Sequence, residues 1–219
     1  EEHGYHLPLS TDSIIAYEIA RRVSGVVDVL VTPPINYGVC RSTAHFPGTI
    51  TISFETLRNL VKDICQSLHL QGLRNIILLP LHLGRAQVVG LELASQELVQ
   101  SYPEVNIAIA KLPVLIEGLP EGLVEDELDL HAGEVETSIM LAVRPELVRM
   151  DKALSEHPKP PEHLILRDPR RYMRSGVMGD ATKASRLKGE RLIEHTVQRL
   201  IDLVKEMGTP PVKKPTTTQ

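Results

Sequence analysis

The first twelve residues, EEHGYHLPLSTD, concentrate side chains that bind metal ions or move protons. Glu1 and His3 are separated by one residue, so in an extended segment their side chains point the same way. Asp12 follows at the start of a predicted helix and can fold back towards them. A carboxylate, an imidazole and a second carboxylate suit Zn, Mn or Fe. The alternative is a solvated surface segment in which Asp12 is only a helix N-cap and His6 bonds the loop backbone.

Short apolar runs alternate with amphipathic segments along the rest of the chain. Strands without polar alternation, separated by helices, predict an α/β fold with a parallel sheet covered on both faces. The predicted strands are 26–34, 75–80 and 106–115, and the predicted helices are 12–23, 53–70, 84–100, 132–143 and 182–207. Thr11 or Asp12 is the expected cap of the first helix.

The carboxyl ends of such strands are where ligands bind. His82 follows the strand 75–80, so we expect its imidazole at that edge, where it would complete a ligand set with Glu1, His3 and Asp12. His131 and Glu136 lie where a loop enters the helix 132–143, with Glu134 between them. An imidazole at that junction is a suitable proton donor to a departing nitrogen near neutral pH.

Length and composition predict one domain. The chain has 219 residues, of which 42% are hydrophobic, enough for a sizeable core. We assign the domain to residues 1–207, with a proline-rich excursion at 156–175 that suits a lid or an oligomer contact. Residues 208–219 are rich in Pro and Thr and are expected to be a disordered tail.

Charge and cysteine usage narrow the class of protein further. The net charge is −4, which gives no nucleic-acid footprint. No apolar run approaches the roughly 20 residues that span a bilayer, so no membrane partner is expected. Cys40 and Cys65 are far apart and form no CxxC motif, which favours a reducing, cytoplasmic compartment.

Four stretches carry a resemblance to a known family. They are EEHGYHLPLSTD, YGVCRSTAHFPGTITIS (37–53), DLHAGEVETSIMLAVRPELV (129–148) and GVMGDATKASRLKGE (176–190). Together they resemble the creatininase, or creatinine amidohydrolase, family. The resemblance implies a three-layer α/β/α sandwich with a mostly parallel sheet. It also implies a metal-dependent amidohydrolase acting on C–N bonds other than ordinary peptides, and a homo-oligomer, often a hexamer.

The resemblance also implies roles for individual residues. The first metal ligands fall on Glu1, His3 and Asp12, with Asp12 bridging two ions, and His82 takes the place of the next ligand. His131 matches the histidine that shuttles the proton. Glu136 matches a retained glutamate, which we expect to support a second metal ion or to orient water. One or two divalent ions (Zn, Mn or Fe) are therefore expected per chain. The implied substrate side carries Tyr37, Cys40 and Arg85.

Several residues depart from the family pattern. The loop reads PLHLGRA, so Arg85 replaces an asparagine and Gly84 stands where creatininase has a metal-binding glutamate. A second ion then needs Glu136 or Glu134 as a substitute ligand. The chain has no Trp, whereas creatininase closes tryptophans over creatinine, so creatinine is not the expected substrate. Arg41, Arg85 and the arginines of 167–174 suit an anionic substrate or, equally, subunit contacts.

Three functions are compatible with this sequence. The first is an amidohydrolase that cleaves a cyclic amide, a formamide or a related C–N bond of a small molecule. The second is a metallopeptidase-like enzyme that trims a modified cofactor-precursor peptide. The third is a non-catalytic family member that retains a metal or none.

Overall fold

The chain folds into helices packed around a short parallel sheet, as a computed structural model of residues 1–161 and 163–208 shows. The helices are α1 (Thr11–Ser24), α2 (Phe54–Leu70), α3 (Arg85–Ser101), α4 (Leu112–Leu115), α5 (Glu134–Val143) and α6 (Arg186–Gly208). The strands are β1 (Asn75–Leu78), β2 (Asn106–Ile109), β3 (Ser155–Glu156) and β4 (Gly179–Asp180).

Strands β1 and β2 pair in parallel and separate two helical layers. Successive side chains of a strand point to opposite faces. Ile76 and Leu78 accordingly pack with the apolar residues of α2 and α3. Ile77 and Leu79 pack against the larger core of α1, α4, α5 and α6. The predicted α/β fold, with helices on both faces of a parallel sheet, is confirmed.

The helices form where apolar residues recur at helical spacing. In α1 the buried apolar residues are Ile15, Ile19 and Val23, which recur at the spacing that predicts a helix. Helix α2 begins after Ser53, whose side chain accepts a hydrogen bond from the Thr56 N–H. Each layer is therefore built from helices whose apolar stripe faces the sheet.

Two predicted strands differ from the structure. Residues 26–34 form no strand, and no described strand pairs with them, because the run ends in two prolines and only part of it packs inward. Val27 and Val29 contact the core, whereas Leu30 is 67% exposed. The predicted strand 106–115 ends at Ile109, and the segment around Pro113 forms the short helix α4 instead.

The predicted helix starts also need correction. Helix α1 follows Ser10, and neither Thr11 nor Asp12 caps it: the Thr11 hydroxyl donates to the Pro8 carbonyl. Helix α5 begins at Glu134 rather than at 132, since the chain turns sharply just before it. Helix α6 begins at Arg186 rather than at 182, after a 3-10 turn over Ala181–Lys183. Leu187, in the first turn of α6, is 63% exposed.

The proline-rich excursion leaves and rejoins the domain at one place. Strands β3 and β4 pair antiparallel, with Ser155 opposite Asp180, and close its base. The predicted tail lies outside the described residues except for Gly208, which is the last residue of α6. No helix in the described ranges is both long and apolar enough to cross a membrane.

A glycine on α6 allows a close contact with the backbone of α5. A Cβ at Gly189 would overlap the backbone carbonyl of Ser138 on α5. We expect Gly189→Ala to lower the free energy of unfolding by at least about 1 kcal/mol, because backbone must move to relieve the overlap. Urea unfolding followed by circular dichroism measures this.

Gly208→Ala is the matched control in the same helix, because a Cβ there would meet no described atom within 4 Å. Its free energy of unfolding should stay within about 0.5 kcal/mol of the wild-type value. Equal effects of the two substitutions would contradict the close contact.

Candidate metal centre

The candidate centre forms around the imidazole of His3, which is completely buried. Its Nε2 lies 3.3 Å from Asp12 Oδ1 and 3.8 Å from Glu136 Oε2. Its Nδ1 donates to the Glu1 carbonyl oxygen over 3.1 Å, which leaves Nε2 facing the two carboxylates. Asp12 is thus placed by the first turn of α1 to serve the centre rather than the helix.

A second group of candidate ligands adjoins the first. Nδ1 of His82 faces the Glu1 carboxylate, while its Nε2 donates to the Val39 carbonyl over 3.2 Å. The potential ligand atoms of Glu1, Cys40 and His82 lie within 4.8 Å of one another. The same holds for the set His3, Asp12 and Glu136, and for the set Glu1, His3 and His131. The sequence-predicted ligands are therefore brought together at one place.

His131 and Glu136 reach the centre through a sharp turn at the start of α5. His131 exchanges backbone hydrogen bonds with Met178, and Ala132 then takes a positive φ of 50°. Such a conformation costs energy for a residue with a Cβ and clusters at functional sites. It directs the Ala132 N–H to Glu136 Oε2, 2.6 Å away. The turn thus holds the His131 ring 4.4 Å from that of His3.

The two glutamates of the first turn of α5 have different partners. Glu134 is completely buried, accepts hydrogen bonds from the Glu125 and Asp126 N–H groups, and pairs with Lys188. Glu136 faces His3. Of the two substitutes that the sequence left open for a second metal ion, only Glu136 is therefore placed at the centre.

Burial and charge shift the pKa values of these groups apart. Burial opposes charge on His3, but the Asp12 carboxylate outweighs it and raises the pKa of His3 to about 10. Burial likewise raises the pKa of Glu136 to about 8, whereas His3 overcomes burial at Asp12 and lowers that pKa to about 2. For His82, burial is outweighed by Cys40 and Glu1, and the pKa rises to about 11.

His131 is shifted in the opposite direction. Burial, reinforced by the charge on His3, lowers the pKa of His131 to about 4. Its Nε2 donates to the Glu2 carbonyl over 2.8 Å, which fixes the proton on that nitrogen and leaves Nδ1 as an acceptor. His131 is therefore neutral near pH 7, with Nδ1 as its acceptor nitrogen.

This donor set fits divalent cations. Imidazole nitrogens and carboxylate oxygens are the ligands that Zn and Mn take in proteins. Glu1 Oε2 is buried, and among the described residues its polar contact is with Nδ1 of His82. A buried carboxylate needs a compensating positive charge, which a protonated His82 supplies here and a bound cation would supply in its place.

The predicted substrate-side residues are distributed over two clefts. Tyr37 is 54% exposed and lines a cleft of about 440 Å³ whose wall includes Glu1. Arg85 is exposed and lines a second cleft, of about 540 Å³, together with Arg41. Cys40 is buried beside His82.

Sequence reasoning missed three contributions to the centre. Thr43 is fully buried and its hydroxyl donates to Glu1 Oε1, 42 residues away, which no local spacing indicates. Glu2 is buried, and its backbone carbonyl orients His131. His6, expected to bond loop backbone, bonds the Thr137 hydroxyl instead, at 2.9 Å.

Comparison with known protein families shows to which family this chain belongs. A family model described as creatinine amidohydrolase matches residues 1–204. The chain belongs to the creatininase family. A creatinine amidohydrolase from Pseudomonas putida is 32% identical over 227 residues, covering 96% of this chain and 87% of that protein. A mycofactocin precursor peptide peptidase from Mycolicibacterium smegmatis is 29% identical, covering 94% and 81%.

Solved creatininase structures share the fold. A crystal structure of creatinine amidohydrolase (creatininase) aligns with a TM-score of 0.83 at 29% identity, covering 97% of this chain and 88% of that one. Another solved structure, named "Creatininase Mn", aligns with a TM-score of 0.83 at 28% identity, covering 96% of this chain and 88% of that one. A creatininase variant is described as the Zn-Zn type, with a TM-score of 0.81, 28% identity and the same coverage.

The paired glutamates of α5 give a direct test of this creatininase-family site. Glu136→Gln should lower the number of ions bound per chain, because an amide is a weaker ligand than a carboxylate. Glu134→Gln should leave the metal content unchanged but lower the free energy of unfolding by about 2 kcal/mol, through the lost ion pair with Lys188. Metal analysis by mass spectrometry and urea unfolding measure both. A loss of metal in Glu134→Gln alone would reverse our assignment.

Metal binding should also release protons. At pH 7 the raised pKa values of His3, His82 and Glu136 keep all three groups protonated, and each must lose its proton to act as a ligand. We expect release of about three protons per chain when Zn fills both ligand sets, and an affinity that rises with pH between 6 and 9. Calorimetry in two buffers of different ionisation enthalpy counts the protons. An enthalpy independent of the buffer would show that the metal-free rings are neutral.

Proposed function

We propose that this creatininase-family protein is a metal-dependent amidohydrolase that cleaves a C–N bond in a small molecule other than creatinine. The observation that carries the proposal is the neutral His131 imidazole, held beside the buried donor set of Glu1, His3 and Asp12. An amide needs both an activated water and a protonated leaving nitrogen, and this arrangement combines groups for both tasks.

The residues that would hold metal ions fall into two sets. His3, Asp12 and Glu136 form one, and Glu1 with His82 forms the core of the other. Divalent ions bound there would supply a lowered pKa for water and polarisation of the carbonyl group. Manganese and zinc, which the two creatininase structures carry in their names, are the ions we propose first.

His131 carries the proton. Because the ring is neutral and Nε2 carries its proton, Nδ1 is the nitrogen that first accepts the proton of the attacking water and then delivers it to the departing nitrogen. The charged ring formed between these steps lies near the carboxylates of Glu1 and Asp12, both of which favour it. In this proposal His131 is the proton donor expected from the sequence, but the ring must first take up that proton during the reaction.

The volumes and charges of the two clefts limit the size and chemistry of the substrate. A volume of about 440 Å³ beside Glu1 suits a small molecule. Arg41 and Arg85 in the neighbouring cleft would bind a phosphate or carboxylate on it. The absence of Trp from the sequence supports a substrate other than creatinine.

Trimming of a modified peptide is the second candidate. It is supported by the relative named as a mycofactocin precursor peptide peptidase, which matches 94% of this chain. The two clefts flanking the His82 and Glu1 pair would hold the peptide on either side of the scissile bond. A non-catalytic role fits less well, because the donor set and the neutral His131 are both retained.

A cytoplasmic homo-oligomer, with a hexamer as the expected form, is also part of the proposal. Cys40 and Cys65 are both free, as a reducing compartment favours. Exposed apolar side chains such as Val26 and Leu30, 68% and 67% exposed, would be covered in an assembly. Native mass spectrometry gives the number of chains.

The reaction is tested with metal-loaded protein and a panel of formamides, cyclic amides and short modified peptides, with creatinine included. We expect turnover of one class, removed by a chelator and restored by Mn or Zn. His131→Ala should lower kcat by roughly 10²- to 10⁴-fold with little change in KM, because it removes proton transfer and not binding.

His195→Gln is the control, because His195 bonds the Glu117 carbonyl away from the centre. It should retain wild-type kcat. Unchanged turnover in His131→Ala would refute the proton-transfer role, and a protein that binds no Zn, Mn or Fe would refute the hydrolase itself.

A further inference from the structure

Cys40 lies buried beside two candidate metal ligands, Glu1 and His82. It is 3% exposed, and its sulfur lies in one cluster with the ligand atoms of Glu1 and His82, all within 4.8 Å of one another. The Glu1 side chain is 3% exposed, and in the described part of the chain the polar contact of its Oε2 is the one with Nδ1 of His82. A buried thiol, an imidazole and a buried carboxylate, with all three ligand atoms this close, make a three-donor site for a cation.

The backbone around Cys40 is fixed from both sides. The Cys40 N–H donates to the Thr51 hydroxyl over 3.0 Å, and the Val39 N–H donates to the Gln87 side chain over 2.9 Å. The Val39 carbonyl accepts from His82 Nε2, which turns His82 Nδ1 towards Glu1. The backbone segment that carries Cys40 therefore also orients the neighbouring ligand His82, as in sites where outer partners fix metal ligands.

The loop that carries His82 supplies no further donor. Leu83 is apolar, and a Cβ at Gly84 would clash with the His82 ring. Arg85 is exposed and cationic, so it would repel a metal ion. A third protein ligand for an ion held by Glu1 and His82 must come from another segment, and in the described part of the chain Cys40 is the residue whose ligand atom clusters with both.

We propose that Cys40 binds a divalent ion as a thiolate together with Glu1 and His82, an inference that rests on the metal centre of the proposed function. On binding, the sulfur loses its proton to solvent and forms the metal–sulfur bond. A thiolate in the set selects zinc over manganese at this position, because soft sulfur ligands favour zinc. The neighbouring set of His3, Asp12 and Glu136 has only nitrogen and oxygen donors, and carboxylates suit manganese.

Cys65 provides the internal control. It is also buried, but in the apolar cluster of α2 and α3, and it belongs to none of the candidate metal groups of the described residues. The test uses full-length protein carrying Cys65→Ala, so that Cys40 is the only thiol.

Zinc-edge X-ray absorption of the zinc-loaded protein should show a sulfur neighbour at about 2.3 Å. The cobalt-substituted protein should show a sulfur-to-cobalt charge-transfer band in the near ultraviolet. Zinc should protect Cys40 from alkylation by iodoacetamide. Adding Cys40→Ser should abolish both sulfur signals and weaken zinc binding more than about tenfold. Adding Cys40→Asp instead should restore the zinc stoichiometry without sulfur, which separates a lost ligand from a lost fold.

The outcomes distinguish this inference from the proposed function. Zinc bound without sulfur scattering, and with alkylation of Cys40 unaffected, overturns the thiolate ligand and leaves the amidohydrolase standing. A substrate-derived mass adduct on Cys40 would make it a nucleophile and likewise overturns the inference. Protein that takes up no zinc overturns the thiolate ligand, and protein that binds none of Zn, Mn and Fe overturns both.

Discussion

The contact on which the centre depends is that of the buried His3 ring with the carboxylates of Asp12 and Glu136. Removing three ionisable groups from water is costly, and the cost is offset only if their charges meet. Asp12 stands in the first turn of α1 and Glu136 in the first turn of α5, so the pairing fixes how these helices meet. Any arrangement that separated them would leave a buried charge unpaired.

The start of α5 is secured independently of the centre. Asp129 accepts hydrogen bonds from the Glu134 and Val135 N–H groups, which satisfies the free end of the helix. Glu134 then anchors the same turn to α6 through Lys188. Because this support is separate, the strained Ala132 can be tolerated, and the strain serves to place His131 and Glu136 on one side.

The sequence predicts much of this architecture, for reasons that are local. The spacing of Ile15, Ile19 and Val23 determines a helix, and buried strands show as unbroken apolar runs. The run 26–34 has the same composition as a strand but no partner strand among the described residues, and pairing is a property of the fold, not of the run.

The centre shows the same division. The one-residue spacing of Glu1 and His3 indicates a ligand pair from the sequence alone. Glu134 and Glu136 are indistinguishable by type and spacing, because only the position of Lys188 separates them. The contact of Thr43 with Glu1, and the place of Cys40 beside Glu1 and His82 rather than on the substrate side alone, could not be predicted, since these residues meet across more than 35 residues of chain. Contacts at such separation depend on how the layers assemble.

The candidate ligands are drawn from the segment before α1, from the first turns of α1 and α5, from the loop that follows β1 and from the segment around Cys40. An unfolded chain therefore has no site to offer, and a cation can be captured only after both helical layers have docked on the sheet. Metal binding then stabilises only the folded state. At a free ion concentration one hundred times the dissociation constant, it adds about 2.7 kcal/mol to the free energy of unfolding. Metal occupancy would thus report how many chains have completed folding, as well as how many are ready to act.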